Sequence, residues 1–151
     1  MRITAKVDYA VRAAAELAAA PPGPMKGDLL AERQRIPAKF LENILADLRR
    51  AGVVASQRGA EGGYWLAVPP AEVSVADIIR AVEGPLADVH GTSPEAVEYP
   101  GAAASLQRVW VATRAALRSV LEEVSLADIV SGTLPQQAER YLDGPDAWSR
   151  R

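Results

Sequence analysis

Residues 27–68 read GDLLAERQRIPAKFLENILADLRRAGVVASQRGAEGGYWLAV, and within this stretch the hydrophobic period changes from helical to strand-like. Over 27–34, and again from Pro37 to Ala51, apolar residues recur every three or four positions, as on one face of a helix. Leu29 and Leu30 mark the predicted inward side of the first, short helix. After a tight break at Arg35-Ile36, Pro37 suits the first turn of a second helix, because its missing N–H would have no intrahelical partner there. The inward face of that helix is predicted as Phe40, Leu41, Ile44, Leu45 and Leu48, and Ala51-Gly52 closes it, glycine being suited to the left-handed C-terminal position. From Val53 the residues turn valine- and aromatic-rich, predicting strands over 53–58 and 64–68 around Gly59-Ala60-Glu61-Gly62-Gly63.

Outward from this stretch, the organisation extends in both directions. Upstream, Ile3, Val7, Ala10, Val11, Ala14, Leu17 and Ala18 share one helical face, with Thr4 as N-cap and Pro21-Pro22-Gly23-Pro24 as the stop. Downstream, Ser74-Val75-Ala76-Asp77 is a capping-box start for a helix carrying Ile78, Ile79 and Val82 and ending at Gly84-Pro85. Residues 85–102 show no periodicity and several breakers, predicting a loop longer than compact domains usually carry. Leu106, Val109, Trp110, Thr113, Ala116, Leu117, Val120, Leu121 and Val124 then recur at nearly heptad spacing, the pattern of a long amphipathic helix with a packing seam. A second capping box, Ser125 to Asp128, starts another short helix. The fold class is therefore mainly α with a small β-hairpin wing: a winged helix-turn-helix domain over 1–84, a loop over 85–102, a seam helix and short capped helix over 103–131. The tail over 132–151 is expected to be mobile, apart from a helical turn around Gln136 to Leu142.

Composition bounds the function. The chain has 151 residues, enough for a real core, and no cysteine, which excludes disulfides, thiolate catalysis, zinc fingers and thiolate-held iron–sulfur clusters. No apolar run approaches the length of a membrane span and no signal peptide is apparent, so a cytoplasmic protein is expected. The net charge of −2 hides an asymmetry: residues 1–68 carry ten Lys+Arg against seven Asp+Glu, and residues 69–151 seven against twelve. The half with the winged pattern is the basic half, which suits nucleic-acid binding but is also common on a solvated face. One histidine without a paired nucleophile, and no glycine-rich phosphate loop, argue against an enzyme.

On double-stranded DNA every predicted element has a task. The second helix of such a motif lies in the major groove with its N-terminal side chains toward the base edges. Ala38, Lys39, Glu42, Asn43 and Asp47 fall off the apolar face. Lys39 suits phosphate or guanine, Asn43 adenine, and Glu42 the amino group of cytosine. Arg58, at the foot of the wing, suits a narrow minor groove, and small wing residues permit close approach to the sugar-phosphate backbone. Arg49, Arg50, Gly59, Gly62 and Gly63 complete the candidate DNA-binding set. A competing reading is a protein-interaction module that kept the winged fold and lost DNA binding, for which the acidic Glu42, Asp47 and Glu61 would be the expected marks.

The segments Met1–Thr4, Asp8–Ala13, Ala31–Gln34, Lys39–Glu42, Leu48–Val54 and the R-G-x-x-G-G-Y wing from Arg58 to Tyr64, followed by Val75–Ile79, Ala81–Leu86 and Leu126–Ile129, together closely resemble the Rrf-two family of bacterial transcription regulators. The resemblance implies a homodimer, often a repressor, that binds imperfect palindromes. It makes Glu42 the candidate for base readout and Arg58 for minor-groove entry, and it assigns the seam helix to dimerisation. An apolar stripe from Leu106 to Val124 is also too long for the small winged domain to cover, so Leu106, Val109, Trp110, Thr113, Leu117, Val120, Leu121 and Val124 are the expected dimer interface. Many family members hold an iron–sulfur cluster with three cysteines in the loop; here that loop has no thiol, and the sequence resembles the cluster-free branch. No cofactor or metal is expected. Asp8 stands at a helix position that assists the cluster in some members, but a carboxylate alone cannot hold one. His90 in the loop could act as a pH-sensitive group or a metal ligand with Asp88, Glu95 or Glu98, although lone loop histidines usually do neither. A small-molecule effector or a partner protein acting on the loop is the expected route of control.

Overall fold

The structure, a computed structural model, describes residues 2–149; Met1 and the closing Arg150-Arg151 of the expected tail lie outside the described residues. Helix α1 (Ala5–Ala19) starts at Thr4, whose hydroxyl accepts from the Val7 N–H, and runs until the proline cluster stops it. Helices α2 (Gly27–Gln34) and α3 (Ala38–Arg50) follow. Between them Arg35 takes the left-handed conformation at φ 52°, unusual for a residue other than glycine, and lets the chain reverse within three residues. Pro37 is the N-cap of α3 rather than its first helical residue, and its carbonyl accepts from the Phe40 and Leu41 N–H groups.

Strands β1 (Val54–Gln57) and β2 (Gly63–Leu66) pair antiparallel, with Val54 opposite Leu66 and Gln57 opposite Gly63. Met25, at the end of the proline-rich connection, adds a bridge on the outer edge of β2 by exchanging both backbone hydrogen bonds with Tyr64 (2.9 and 2.8 Å). Helix α4 (Val75–Glu83) then packs across α1 and α3. One core joins these elements: Val7, Ala10, Ala13, Ala14 and Leu17 of α1 meet Leu30, Ile36, Leu41, Ile44, Leu45, Leu48, Val54, Ile78 and Val82. Ala10, Ala13 and Ala14 of α1 are fully buried and let the helices approach closely.

Two expected core positions are corrected. Leu29 and Phe40 are 40% and 42% exposed, whereas Leu30 and Leu41 beside them are buried. Successive helical residues are about 100° apart, so each of the pair falls at the margin of its stripe. Phe40 instead meets Tyr9 of α1 edge to face, ring centroids 5.6 Å apart.

After α4 the loop is laid along helix α5 (Leu106–Leu121). The Arg114 guanidinium pairs with Glu95 at 2.6 Å, Gln107 donates to the Glu95 carbonyl, and the Trp110 indole N–H donates to the Tyr99 hydroxyl at 3.0 Å. A two-residue turn at His90-Gly91, both at positive φ, closes a small hairpin between Val89 and Thr92. Helix α6 (Leu126–Ser131), grouped with α5 in the sequence reading, folds back on the winged domain: Leu126 is fully buried in the common core. Its start is tied there by hydrogen bonds from Val75 N–H to Val124 and from Leu126 N–H to Val73. The single turn α7 (Gln136–Glu139) forms within the expected tail and rests on α5 with Ala138 buried.

Candidate nucleic-acid interface

Four leucine and isoleucine side chains fix α3 in the core, each at most 1% exposed. Their burial turns the opposite face outward, and Lys39, Glu42 and Asn43 are exposed on it. None of the three has a hydrogen-bond or ion-pair partner among the described residues. Arg58, at the base of the wing, is exposed and equally unengaged. The structure therefore leaves one cation, one carboxylate and one amide on the reading helix, and a second cation on the wing, free to meet an external partner.

The remaining candidates are employed internally to differing degrees. Asp47 pairs with Lys6 of α1 at 2.8 Å and with Arg50 at 2.8 Å. The Lys6 ammonium, hydrogen-bonded to it, holds the Asp47 carboxyl below the usual carboxylate range against the opposing effect of partial burial, and Arg50 adds to the lowering. Lys6 also donates to the Val82 carbonyl at 2.7 Å, in the last turn of α4, so one ammonium joins α1, α3 and α4. Asp47 is thus a neutralised structural anion. Arg49 donates to the Ser56 hydroxyl of β1 at 3.2 Å, bracing the wing against α3.

The wing glycines divide in the same way. Gly59 is exposed at φ 101° with open space where a side chain would stand. Gly62 and Gly63 are buried: a Cβ on Gly62 would lie 2.1 Å from the Gln57 carbonyl oxygen, and one on Gly63 2.5 Å from that of Met25. Those two glycines let the hairpin close and Met25 join it; only Gly59 is placed at the surface. Lys26, absent from the sequence reading, donates to the Gly59 carbonyl at 2.9 Å and ties the wing tip to the start of α2. Its neighbour Met25, the third member of the sheet, was equally hidden, since a lone residue after four turn-forming ones carries no strand period.

Helix α1 also grips the turn of the motif. The Arg12 guanidinium donates to the Gln34 carbonyl and side chain and to Asp8, and lies over the Tyr9 ring. Asp8, considered as an assistant cluster ligand, is thereby paired with Arg12 at 2.9 Å.

A buried helix-turn-helix with a hairpin wing and an outward face of unengaged polar side chains defines a winged-helix DNA-binding protein. Comparisons with known proteins make that specific: residues 3–132 match the model of the Rrf2 family, described as iron-dependent transcriptional regulators. The chain belongs to the Rrf2 (Rrf-two) family of DNA-binding transcriptional regulators. It is 47% identical over 144 residues to Rv1287 of Mycobacterium tuberculosis, whose name places it among the HTH-type transcriptional regulators, covering 95% of this chain and 89% of that protein. The HTH-type transcriptional regulator CymR of Bacillus subtilis is 33% identical over 94% of this chain and 98% of its own length. The solved structure of that protein, titled the global cysteine regulator, superposes with a TM-score of 0.73 at 34% identity over 88% of this chain and 98% of its own. The T. potens IscR structure gives 0.71 at 33% identity over 87% and 88%. These relatives are regulators, not enzymes, and no helix among the described residues is long and apolar enough to cross a membrane.

The iron of the family description does not fit the donor set found here. The chain has no cysteine and one histidine, and among the described residues no three His, Asp or Glu side chains converge as a metal site. Asp88 is turned to its own hairpin, accepting from the Gly91 N–H at 2.7 Å, and Glu95 is held by Arg114.

Proposed function

We propose that the protein is a sequence-specific repressor that binds an imperfect palindrome in double-stranded DNA as a homodimer, in the cytoplasm, and works without an iron–sulfur cluster. The observation that carries this reading is the unengaged set Lys39, Glu42 and Asn43 on α3, beside the unengaged Arg58 of the wing. Core burial fixes the orientation of α3, so the face that carries Lys39, Glu42 and Asn43 is set before a partner arrives. Lys39 and Asn43 match guanine or phosphate and adenine, Glu42 the cytosine amino group, and Arg58 a narrow minor groove. Arg49 and Arg50, partly spent on Ser56 and Asp47, add positive charge behind the reading face.

Dimerisation is supported by α5, none of whose residues is buried within the chain. Val109 and Trp110 are 51% and 36% exposed, while Leu106, Leu117, Val120 and Leu121 are half-buried; Val124, expected in the same seam, lies beyond the end of α5 and is buried within the chain, so it drops out of the stripe. A second copy covering this stripe through a two-fold axis would present two α3 helices to successive turns of the duplex. The loop bound along the first half of α5 is the place where a small molecule or partner protein would alter that spacing.

The alternative of an adaptor that has lost DNA binding loses one of its three marks, because Asp47 is neutralised by Lys6 and Arg50. The test is selection of binding sites from random DNA by the full chain, followed by affinity measurements across salt. An enriched two-fold site, with affinity falling steeply as salt rises, is expected; no enrichment, or affinity indifferent to salt, overturns the proposal.

A further inference from the structure

We propose that Phe40 is a specificity-determining residue that reads thymine, its ring making apolar contact with the C5-methyl group in the major groove. This rests on the DNA-reading role of α3 proposed above.

Phe40 is the third residue of α3, in the turn that a recognition helix directs at base edges. It is 42% exposed and flanked by Lys39, so it stands on the outer margin of the helix and not in the core that its neighbour Leu41 enters. The ring is nevertheless held. Tyr9 meets it edge to face at 88°, Arg12 lies 5.3 Å over the centre of the Tyr9 ring, and Arg12 is itself fixed by Asp8 and Gln34. An aromatic ring braced from behind loses little further freedom on binding, which favours its use as a contact surface.

Chemistry narrows what it can meet. Phenylalanine has no donor or acceptor for phosphate or for the polar base edges. Among the groups lining the major groove, the thymine methyl is the apolar one. Asn43, three residues on and therefore a neighbour on the same helical surface, is the side chain suited to adenine. The pair thus fits adjacent A·T base pairs, one read by hydrogen bonds and the other by its methyl group.

The experiment uses the full chain and the palindrome it selects from random DNA. Each thymine of the half-site is replaced in turn by deoxyuridine, which keeps every hydrogen bond and lacks the methyl, and affinities are measured for the wild type, Phe40→Ala and Phe40→Leu. At one thymine, substitution is expected to weaken the wild type about fourfold per half-site, the value of burying about one methyl group. Phe40→Ala should bind the two sites equally, and Phe40→Leu should keep part of the preference. The inference is overturned if deoxyuridine is neutral for the wild type at every position, or if Phe40→Ala retains the wild-type ratio. Failure to enrich any site would instead remove the DNA-reading role itself, so the two failures are distinguishable.

Discussion

Helices α3 and α5 are both amphipathic and of similar length, yet the chain treats them oppositely. In α3 the apolar stripe disappears into the core, and the polar face is left for a partner. In α5 the apolar stripe is only partly covered: no residue of the helix is buried, and Val109 and Trp110 stand exposed. Burial of Leu, Ile or Phe side chains yields roughly 1.5–3 kcal/mol each, so a stripe that forgoes it either finds a second chain or exposes the protein to aggregation. One helix is finished by intramolecular folding, and the other leaves apolar surface that the proposed second copy would cover. Since α6 returns to bury Leu126 in the winged core, α5 is anchored at its far end and cannot simply detach.

That contrast can be broken by experiment. The largest effect is expected from Leu48→Ala, which opens a cavity in a fully buried position and should lower unfolding free energy by about 2–5 kcal/mol in urea titration. Val109→Glu, at the most exposed large apolar position of α5, should leave the far-UV spectrum intact, convert dimers to monomers by light scattering, and weaken binding to the selected palindrome by more than about tenfold, since half-sites would be bound singly. A Val109→Glu protein that stays dimeric and binds normally would move the interface elsewhere.

Smaller effects sharpen the polar side. Glu42→Ala should relax discrimination at one base position by about 1–3 kcal/mol. Arg58→Ala should weaken binding most where A/T-rich sequence narrows the minor groove. If both variants lose affinity uniformly over all sequences, the assignment of base readers fails.

The smallest expected effect concerns the clamp between α1 and α3. Because Lys6 and Arg50 lower the Asp47 pKa in the folded state, the ionised carboxylate contributes stability above the ordinary carboxylate range, and that contribution is lost as pH falls through the folded value. Asp47→Asn should thus cost about 1 kcal/mol near neutrality, and the gap between variant and wild type should close below about pH 4. A gap that is constant with pH would assign the loss to packing instead of charge.

The local grammar of the chain was legible without coordinates. Thr4, Ser74 and Ser125 cap helices where hydroxyl residues precede apolar periods, the proline cluster ends α1, and the change of period after Gly52 marks the wing. Such features depend on neighbours a few residues apart, and the sequence states those directly. Lys39, Glu42, Asn43 and Arg58 could be placed at the surface for the same reason: helical period and turn chemistry assign faces.

Only tertiary structure decided which residues at the margin of a face are inside and which exposed polar groups are already spoken for. Phe40 fits the inward stripe by spacing, yet it stands at the margin, 42% exposed and edge to face with Tyr9 of α1. Asp47 looks free until Lys6, far away in sequence, neutralises it. Gly62 and Gly63 look like a wing tip shaped for DNA, whereas the Gln57 carbonyl stands where a side chain on Gly62 would be and Met25 where one on Gly63 would be. Met25 and Lys26 join the wing from a segment with no strand signal. In each case the deciding partner is distant along the chain, and pairings of that kind follow from how the helices pack, which periodicity within a single element does not encode.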